Sequence, residues 1–240
     1  LCDWSSDVCS SDLKIAAAGA DVGFFQDPDA DRLAIATADG RYIGEECTLA
    51  LAVQHVLSKT RGPIVINCST SLMASLIAAR HAAACHVSAV GEANVVDRML
   101  AERAVLGGEG NGGVIDPRVG LVRDSFSAMA LVLDMMCAGT TLRSLDELAR
   151  ALPQLVMKKM KIDLEPGRSG ASLASALERI EKAFPAARAS RLDGLRLDWD
   201  GGWLLVRGSN TEPIVRIVAE AADEAAVDAA IARATAAMEP

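Results

Sequence analysis

The hexapeptide Asp27-Pro28-Asp29-Ala30-Asp31-Arg32 places three carboxylates at every second position with a guanidinium directly behind them. Hard oxygen donors that can wrap around a point suit Mg2+, which takes a near-octahedral oxygen shell and is often held by a few carboxylates plus phosphate oxygens. Apolar runs at 22–25 and 33–36 flank the hexapeptide, so it is expected to be a tight loop at a strand end. Pro28 offers no amide to a ladder and turns Asp27 away from helix. An EF-hand loop is excluded: its sixth and twelfth positions need Gly and Glu, where this chain has Arg32 and Ala38. A solvated acidic turn and a phosphatase-type loop with Asp27 or Asp29 as nucleophile stay open.

Two further stretches could do chemistry. Gly107-Gly108-Glu109-Gly110-Asn111-Gly112-Gly113 lets the backbone approach a ligand and offers only a carboxylate and an amide. Those groups suit sugar hydroxyls better than a phosphate cradle, since no Lys-Ser/Thr pair completes a P-loop. Downstream, Arg207 and Arg216 bracket Ser209, Asn210 and Thr211. Guanidinium forks with short neutral donors between them describe a dianion site.

The elements that must position these loops fall into three regions. After the aspartate loop, Asp39-Gly40 marks a hairpin turn with a short strand at 42–43, and 45–58 reads as a helix with Leu49, Val53, Val56 and Leu57 on one face. From Pro63, strands at 64–68, 86–90 and 104–107 alternate with helices at about 72–84 and 92–102. That alternation predicts an α/β/α domain with a mostly parallel sheet, whose ligands lie beyond the carboxyl ends of its strands. Asp124 or Ser125 caps a helix to about Ala138, and Ser144-Leu145-Asp146-Glu147 is a capping box. From Met157 the pattern changes to strands at 157–164, 188–199, 203–209 and 214–219 with helices after the first and last. This predicts a separate α+β domain, an antiparallel sheet with helices on one face.

Composition bounds the rest. The 240 residues are 51% hydrophobic and 3% aromatic, with a net charge of −8, which argues against nucleic acid as a general partner. No apolar run approaches the roughly 18 residues that span a bilayer. Residues 1–13 resemble the in-frame translation of a sequencing adapter and are set aside. Of the remaining cysteines, Cys47, Cys68, Cys85 and Cys137 are widely spaced in apolar surroundings, so buried thiols in a reducing cytoplasm are expected.

Set side by side, the three loops resemble, in order and spacing, those of the α-D-phosphohexomutase superfamily: a metal loop, a sugar loop and a phosphate loop. The resemblance runs from about Lys14 to the end. It implies the end of a second domain at 14–61, a third domain at 62–153 and a fourth at 154–240. It also implies Mg2+ on Asp27, Asp29 and Asp31, phosphoryl stabilisation by Arg32, sugar contacts from Glu109 and Asn111, and phosphate contacts from Arg207, Ser209, Asn210, Thr211 and Arg216. The implied reaction interconverts hexose 6-phosphate and hexose 1-phosphate through a phosphoserine and a hexose 1,6-bisphosphate. No stretch resembles the superfamily's Thr-Ser-His-Asn-Pro-like phosphoserine loop, so the chain is expected to be an N-terminally truncated mutase, inactive alone. Gly110-Asn111 and Gly113 replace the Met-Ser or Gln-Ser and Gly-His of other members, a form similar to the archaeal-type branch. Phosphoglucosamine mutase is the leading expectation, with phosphomannomutase/phosphoglucomutase or a non-catalytic sugar-phosphate-binding protein as alternatives.

Overall fold

A computed structural model describes residues 14–163, 170–208 and 214–238. The chain divides into two compact units, Leu1–Pro153 and Gln154–Pro240.

In the first unit, β1 (Val22–Gln26) and β2 (Leu33–Thr37) form an antiparallel hairpin whose register, Gln26 opposite Leu33, makes residues 27–32 its tip. All of β2 is buried, so the tip hangs from a fixed strand. The expected strand at 42–43 is only an isolated bridge from Tyr42 to Ala36, because the chain turns at Gly44 into α1 (Glu45–Lys59). α1 buries Leu49, Val53, Val56 and Leu57 as the periodicity predicts, and also Ala50, Leu51, Ala52 and His55. A helix buried on more than one face is packed between layers.

Those layers are set by a four-stranded sheet of order β4-β3-β5-β6, where β3 (Ile64–Asn67) is parallel to both β4 (Cys85–Ser88) and β5 (Leu106–Glu109). Short β6 (Gly113–Ile115) returns antiparallel along β5. Two adjacent glycines show that both faces are covered. A Cβ on Gly107 would lie 2.2 Å from Met99 Sδ of α3 (Glu92–Glu102), and one on Gly108 would lie 2.7 Å from Leu49 Cδ1 of α1. Successive strand residues point to opposite faces, so helices flank the sheet on both sides. Helix α2 after β3 (Leu72–Arg80) is capped by Ser71, whose Oγ accepts from Met73 N. It stops four residues earlier than expected, where Ala82 takes φ +52. Helix α4 (Ser125–Met136) is capped by Asp124, which accepts from the amides of Phe126 and Ser127, and α5 (Leu145–Arg150) has the predicted capping box.

The second unit is an antiparallel sheet of order β7-β11-β10-β9-β8. Its strands are β7 (Val156–Asp163), β8 (Arg188–Ser190), β9 (Leu195–Trp199), β10 (Gly202–Gly208) and β11 (Ile214–Ala221). The single strand expected at 188–199 is therefore two, split at the Asp193-Gly194 turn, where Gly194 has φ +78. One sheet face presents Leu195, Leu197, Leu204, Val206, Val215, Ile217 and Ala219 in alternation. It packs under α6 (Gly170–Ala183), through Leu177 and Ile180, and α7 (Glu224–Met238), through Val227, Ile231 and Ala234. Each Leu, Ile or Val side chain among these contributes about 1.5–3 kcal/mol when fully buried. Among the described residues, no helix is long and apolar enough to cross a membrane. The expectation of buried thiols is corrected: Cys68 is buried, but Cys47 and Cys85 are half-buried and Cys137, just past α4, is exposed.

Candidate functional site

The aspartate loop is shaped from within. Ala30 N donates to Asp27 O at 3.0 Å, closing a turn with Pro28 in its first corner, and Ala30 then takes φ +58. This reverses the chain so that Asp27 Oδ1 accepts from the amides of Asp31 and Arg32, both at 3.1 Å, while Arg32 Nε donates to Asp27 Oδ2 at 2.5 Å. One carboxylate oxygen from each of Asp27, Asp29 and Asp31 lies within 4.8 Å of the others. Asp27 is buried, Asp31 half-buried and Asp29 exposed.

Crowding of like charges divides the two inner carboxylates. Burial disfavours the charged form of Asp27, but the Arg32 amide and guanidinium outweigh it and hold its pKa below the usual value. Asp31 goes the other way: burial raises its pKa, with Asp27 and Asp29 adding to the rise against the opposing pull of Arg123. Asp31 Oδ1 is buried and accepts no hydrogen bond, its contact being an ion pair with Arg32 Nε at 3.4 Å. A buried carboxylate oxygen is costly to leave unsatisfied, and hard oxygens converging on a point fit a divalent cation such as Mg2+.

The glycine stretch is a β-hairpin, with Glu109 opposite Gly113. Glycine is required at its tip. Gly112 has φ +86, and a Cβ there would meet Leu33 O at 2.4 Å; a Cβ on Gly110 would meet Glu46 Oε2 at 1.9 Å. Gly112 O accepts from Leu33 N at 3.1 Å, joining the hairpin to the strand that carries the aspartate loop. Glu109 points inward and is 3% exposed: Oε1 accepts from Asn67 Nδ2 at 2.6 Å and Gly91 N at 2.9 Å, and Oε2 from Arg123 Nη1 at 2.7 Å. Of the roughly four acceptor positions of a carboxylate, three are taken. Half-buried Asn111 stays local, its Oδ1 accepting from Gly113 N at 3.2 Å.

Several residues of this site were not singled out from sequence. Arg123, directly before the capping Asp124, also pairs through Nη2 with Asp31 and through Nε with Glu92 Oε2 at 3.2 Å, while its own amide donates to Glu92 Oε2 at 2.9 Å. Two residues on, buried Ser125 donates from Oγ to Ala30 O at 2.6 Å and accepts from Gln26 Nε2 at 2.6 Å. The start of α4 thus grips the aspartate loop twice. Asn67 and Thr70 line the bed of the hairpin, with Thr70 Oγ1 accepting from Gly110 N at 3.0 Å. The available signal was an arginine beside a capping aspartate at a strand-to-helix junction, where α/β sheets bind ligands.

In the second unit, Arg207 on β10 stands opposite Arg216 on β11, and Arg216 stands opposite Lys161 on β7. Three cations in a cross-strand row lie on the face away from α6 and α7. Like charges directly opposite destabilise a sheet, by about 0.2–1 kcal/mol per pair. Asp193 Oδ1, 3.5 Å from Arg207 Nε, offsets part of this charge. Lys161 was missed because its strand reads only as alternating basic and apolar. Ser209, Asn210 and Thr211 lie outside the described residues.

Together these features define a class: an α/β/α unit with polar loops at the carboxyl ends of its strands, followed by an α+β unit with a cationic sheet face. Comparison with known proteins gives the family. Residues 45–156 match the description "Phosphoglucomutase/phosphomannomutase, alpha/beta/alpha domain III", and 168–237 match that family's C-terminal domain. The chain belongs to the phosphoglucomutase/phosphomannomutase family of phosphohexomutases. It is 35% identical over 88% of its length to a phosphoglucomutase/phosphomannomutase of Thermococcus kodakarensis. It is 31% identical over 85% to a probable phosphoglucosamine mutase of Pyrococcus horikoshii. The chain spans 45% of each of these relatives. In fold it is similar to a phosphoglucomutase/phosphomannomutase family protein of Burkholderia thailandensis, with a TM-score of 0.79 at 24% identity, covering 98% of this chain and 50% of that one. It is similar too to the Aspergillus fumigatus N-acetylphosphoglucosamine mutase in complex with GlcNAc-6P and magnesium, with a TM-score of 0.62 at 15% identity, covering 96% of this chain and 52% of that one.

Proposed function

We propose that the chain supplies the metal, sugar and phosphate sites of a Mg2+-dependent phosphohexomutase, with glucosamine phosphate the first substrate to test and mannose and glucose phosphates next. In this reading 14–61 closes a second domain, 62–153 is the third and 154–240 the fourth. The observation that carries it is the convergence of Asp27, Asp29 and Asp31 oxygens, with Asp31 Oδ1 buried, without a hydrogen bond and held only by a 3.4 Å ion pair to Arg32 Nε. Asp27, Asp29 and Asp31 would hold Mg2+, which would offset charge on a transferring phosphoryl group. Arg32, held by its bonds to Asp27, would stabilise equatorial phosphoryl oxygens.

Asn111 and the remaining acceptor position of Glu109 would meet ring hydroxyls, which must look alike in both sugar orientations if one site is to serve the 1- and 6-phosphates in turn. Arg207, Arg216 and the loop between them, with Ser209, Asn210 and Thr211, would hold the phosphate that is not reacting, and Lys161 would extend that row. A dianion there relieves the repulsion among the cations, so binding and sheet stability favour one another. The phosphoryl donor is not supplied by these 240 residues, none of which resembles a phosphoserine loop. The reading is tested by 31P NMR of the chain with glucosamine 6-phosphate, Mg2+ and glucose 1,6-bisphosphate. The 6-phosphate resonance is expected to broaden or shift on adding the chain, with no 1-phosphate formed. An unperturbed resonance would remove the sugar-phosphate site, and conversion by the chain alone would place the donor within it.

A further inference from the structure

We propose that Arg123 is the positioning residue that couples the aspartate loop to the glycine hairpin, so that a cation bound at the one is felt at the other. The inference rests on the reading of Asp27, Asp29 and Asp31 as a metal site. Its basis is the use made of a single guanidinium. Nη2 pairs with Asp31, Nη1 donates to Glu109 at 2.7 Å, and Nε meets Glu92 at 3.2 Å, so three carboxylates from three separate segments converge on one rigid fork. A planar guanidinium fixes the angle between its partners, which an ammonium cannot do. Arg123 is itself fixed, by its amide bond to Glu92 and by the Asp124 cap that follows it.

The local charge balance gives the fork something to transmit. Among the described residues, Asp27, Asp29, Asp31, Glu92 and Glu109 are served by two guanidiniums, those of Arg32 and Arg123. Asp31 divides its two oxygens between Arg123 on Oδ2 and, on Oδ1, the aspartate cluster and a 3.4 Å ion pair to Arg32 Nε, with no hydrogen bond to Oδ1. A divalent cation taking up Oδ1 would draw charge from Asp31 and lock its orientation. Arg123 would then be held by a fixed partner on one side and would hold Glu109 more firmly on the other. A second path exists, the Leu33 N to Gly112 O bond, so the claim for Arg123 can fail.

Hydrogen exchange of the chain with and without saturating Mn2+ separates the possibilities. In the unsubstituted chain, Mn2+ is expected to slow exchange in peptides covering 27–33 and, by about fivefold or more, in peptides covering 107–113. In Arg123→Met the protection at 27–33 should persist while that at 107–113 is lost. Arg123→Lys, which keeps the charge and serves as the safer variant for folding, should retain less than half of the hairpin effect because one ammonium cannot span both carboxylates. Hairpin protection that survives in either variant at full size would overturn the inference and assign coupling to the Leu33–Gly112 bond. Protection at 27–33 with none at 107–113 in the unsubstituted chain would overturn the inference alone. No protection at 27–33 would overturn the metal reading and the inference with it.

Discussion

The two polar regions of this protein solve the problem of charge in opposite ways. Around the aspartate loop and glycine hairpin, unlike groups already bind one another: Glu109 takes three donors, Arg123 three acceptors, and Asp27 three hydrogen bonds. On the C-terminal sheet, Lys161, Arg216 and Arg207 stand side by side as like charges, with Asp193 as partial compensation. The first region is preorganised and its polar groups carry part of the fold. The second gathers like charges on one sheet face, which we propose as the phosphate site. Substitutions should therefore register as stability in the first and as affinity in the second.

The largest effect is expected from Glu109→Gln. It leaves the shape nearly unchanged but presents an amide to donors that need a carboxylate, and breaking a buried charged network of this kind costs about 3 kcal/mol. Urea unfolding of the chain would show it as a fall in midpoint; an unchanged midpoint would mean that the inward network does not hold the hairpin. Arg216→Ala should do the reverse. It is expected to weaken hexose 6-phosphate binding about tenfold by calorimetry, as loss of a charged hydrogen-bonding partner does, while unfolding stability changes by less than about 1 kcal/mol. A large stability loss with unaltered affinity would erase the contrast between the two regions.

What could be read from the sequence follows the same division. The aspartate, glycine and arginine stretches stood out in the sequence because their residue types are required by few other roles at that spacing, and α3 was legible at both ends because Gly91-Glu92 opens it and its pattern is regular. The hairpin at 106–115 was not. Five glycines in seven residues read as a loop, whereas Gly107, Gly108 and Gly113 lie in strands packed under Met99, Leu49 and Arg123, and Gly110 and Gly112 form the turn between them. The early stop of α2 has a similar cause, since Ala82 rather than a glycine takes the left-handed turn and leaves no sequence mark. Arg123 was hidden by distance: its partners lie 92, 31 and 14 positions away in the chain, and no local pattern connects them.

The central claim is that the aspartate loop is a metal site, and Asp29 gives the cleanest access to it. Asp29 is exposed, unlike buried Asp27, which braces Arg32, and half-buried Asp31, which binds Arg123, so its removal should leave folding intact. Titration of the chain with Mn2+, followed by the loss of the free-ion electron paramagnetic resonance signal, should reveal a single class of site whose affinity falls by about tenfold or more in Asp29→Asn, since losing one charged ligand of three weakens such sites strongly. The melting temperature should not move. Equal Mn2+ affinity in the two chains would contradict the account.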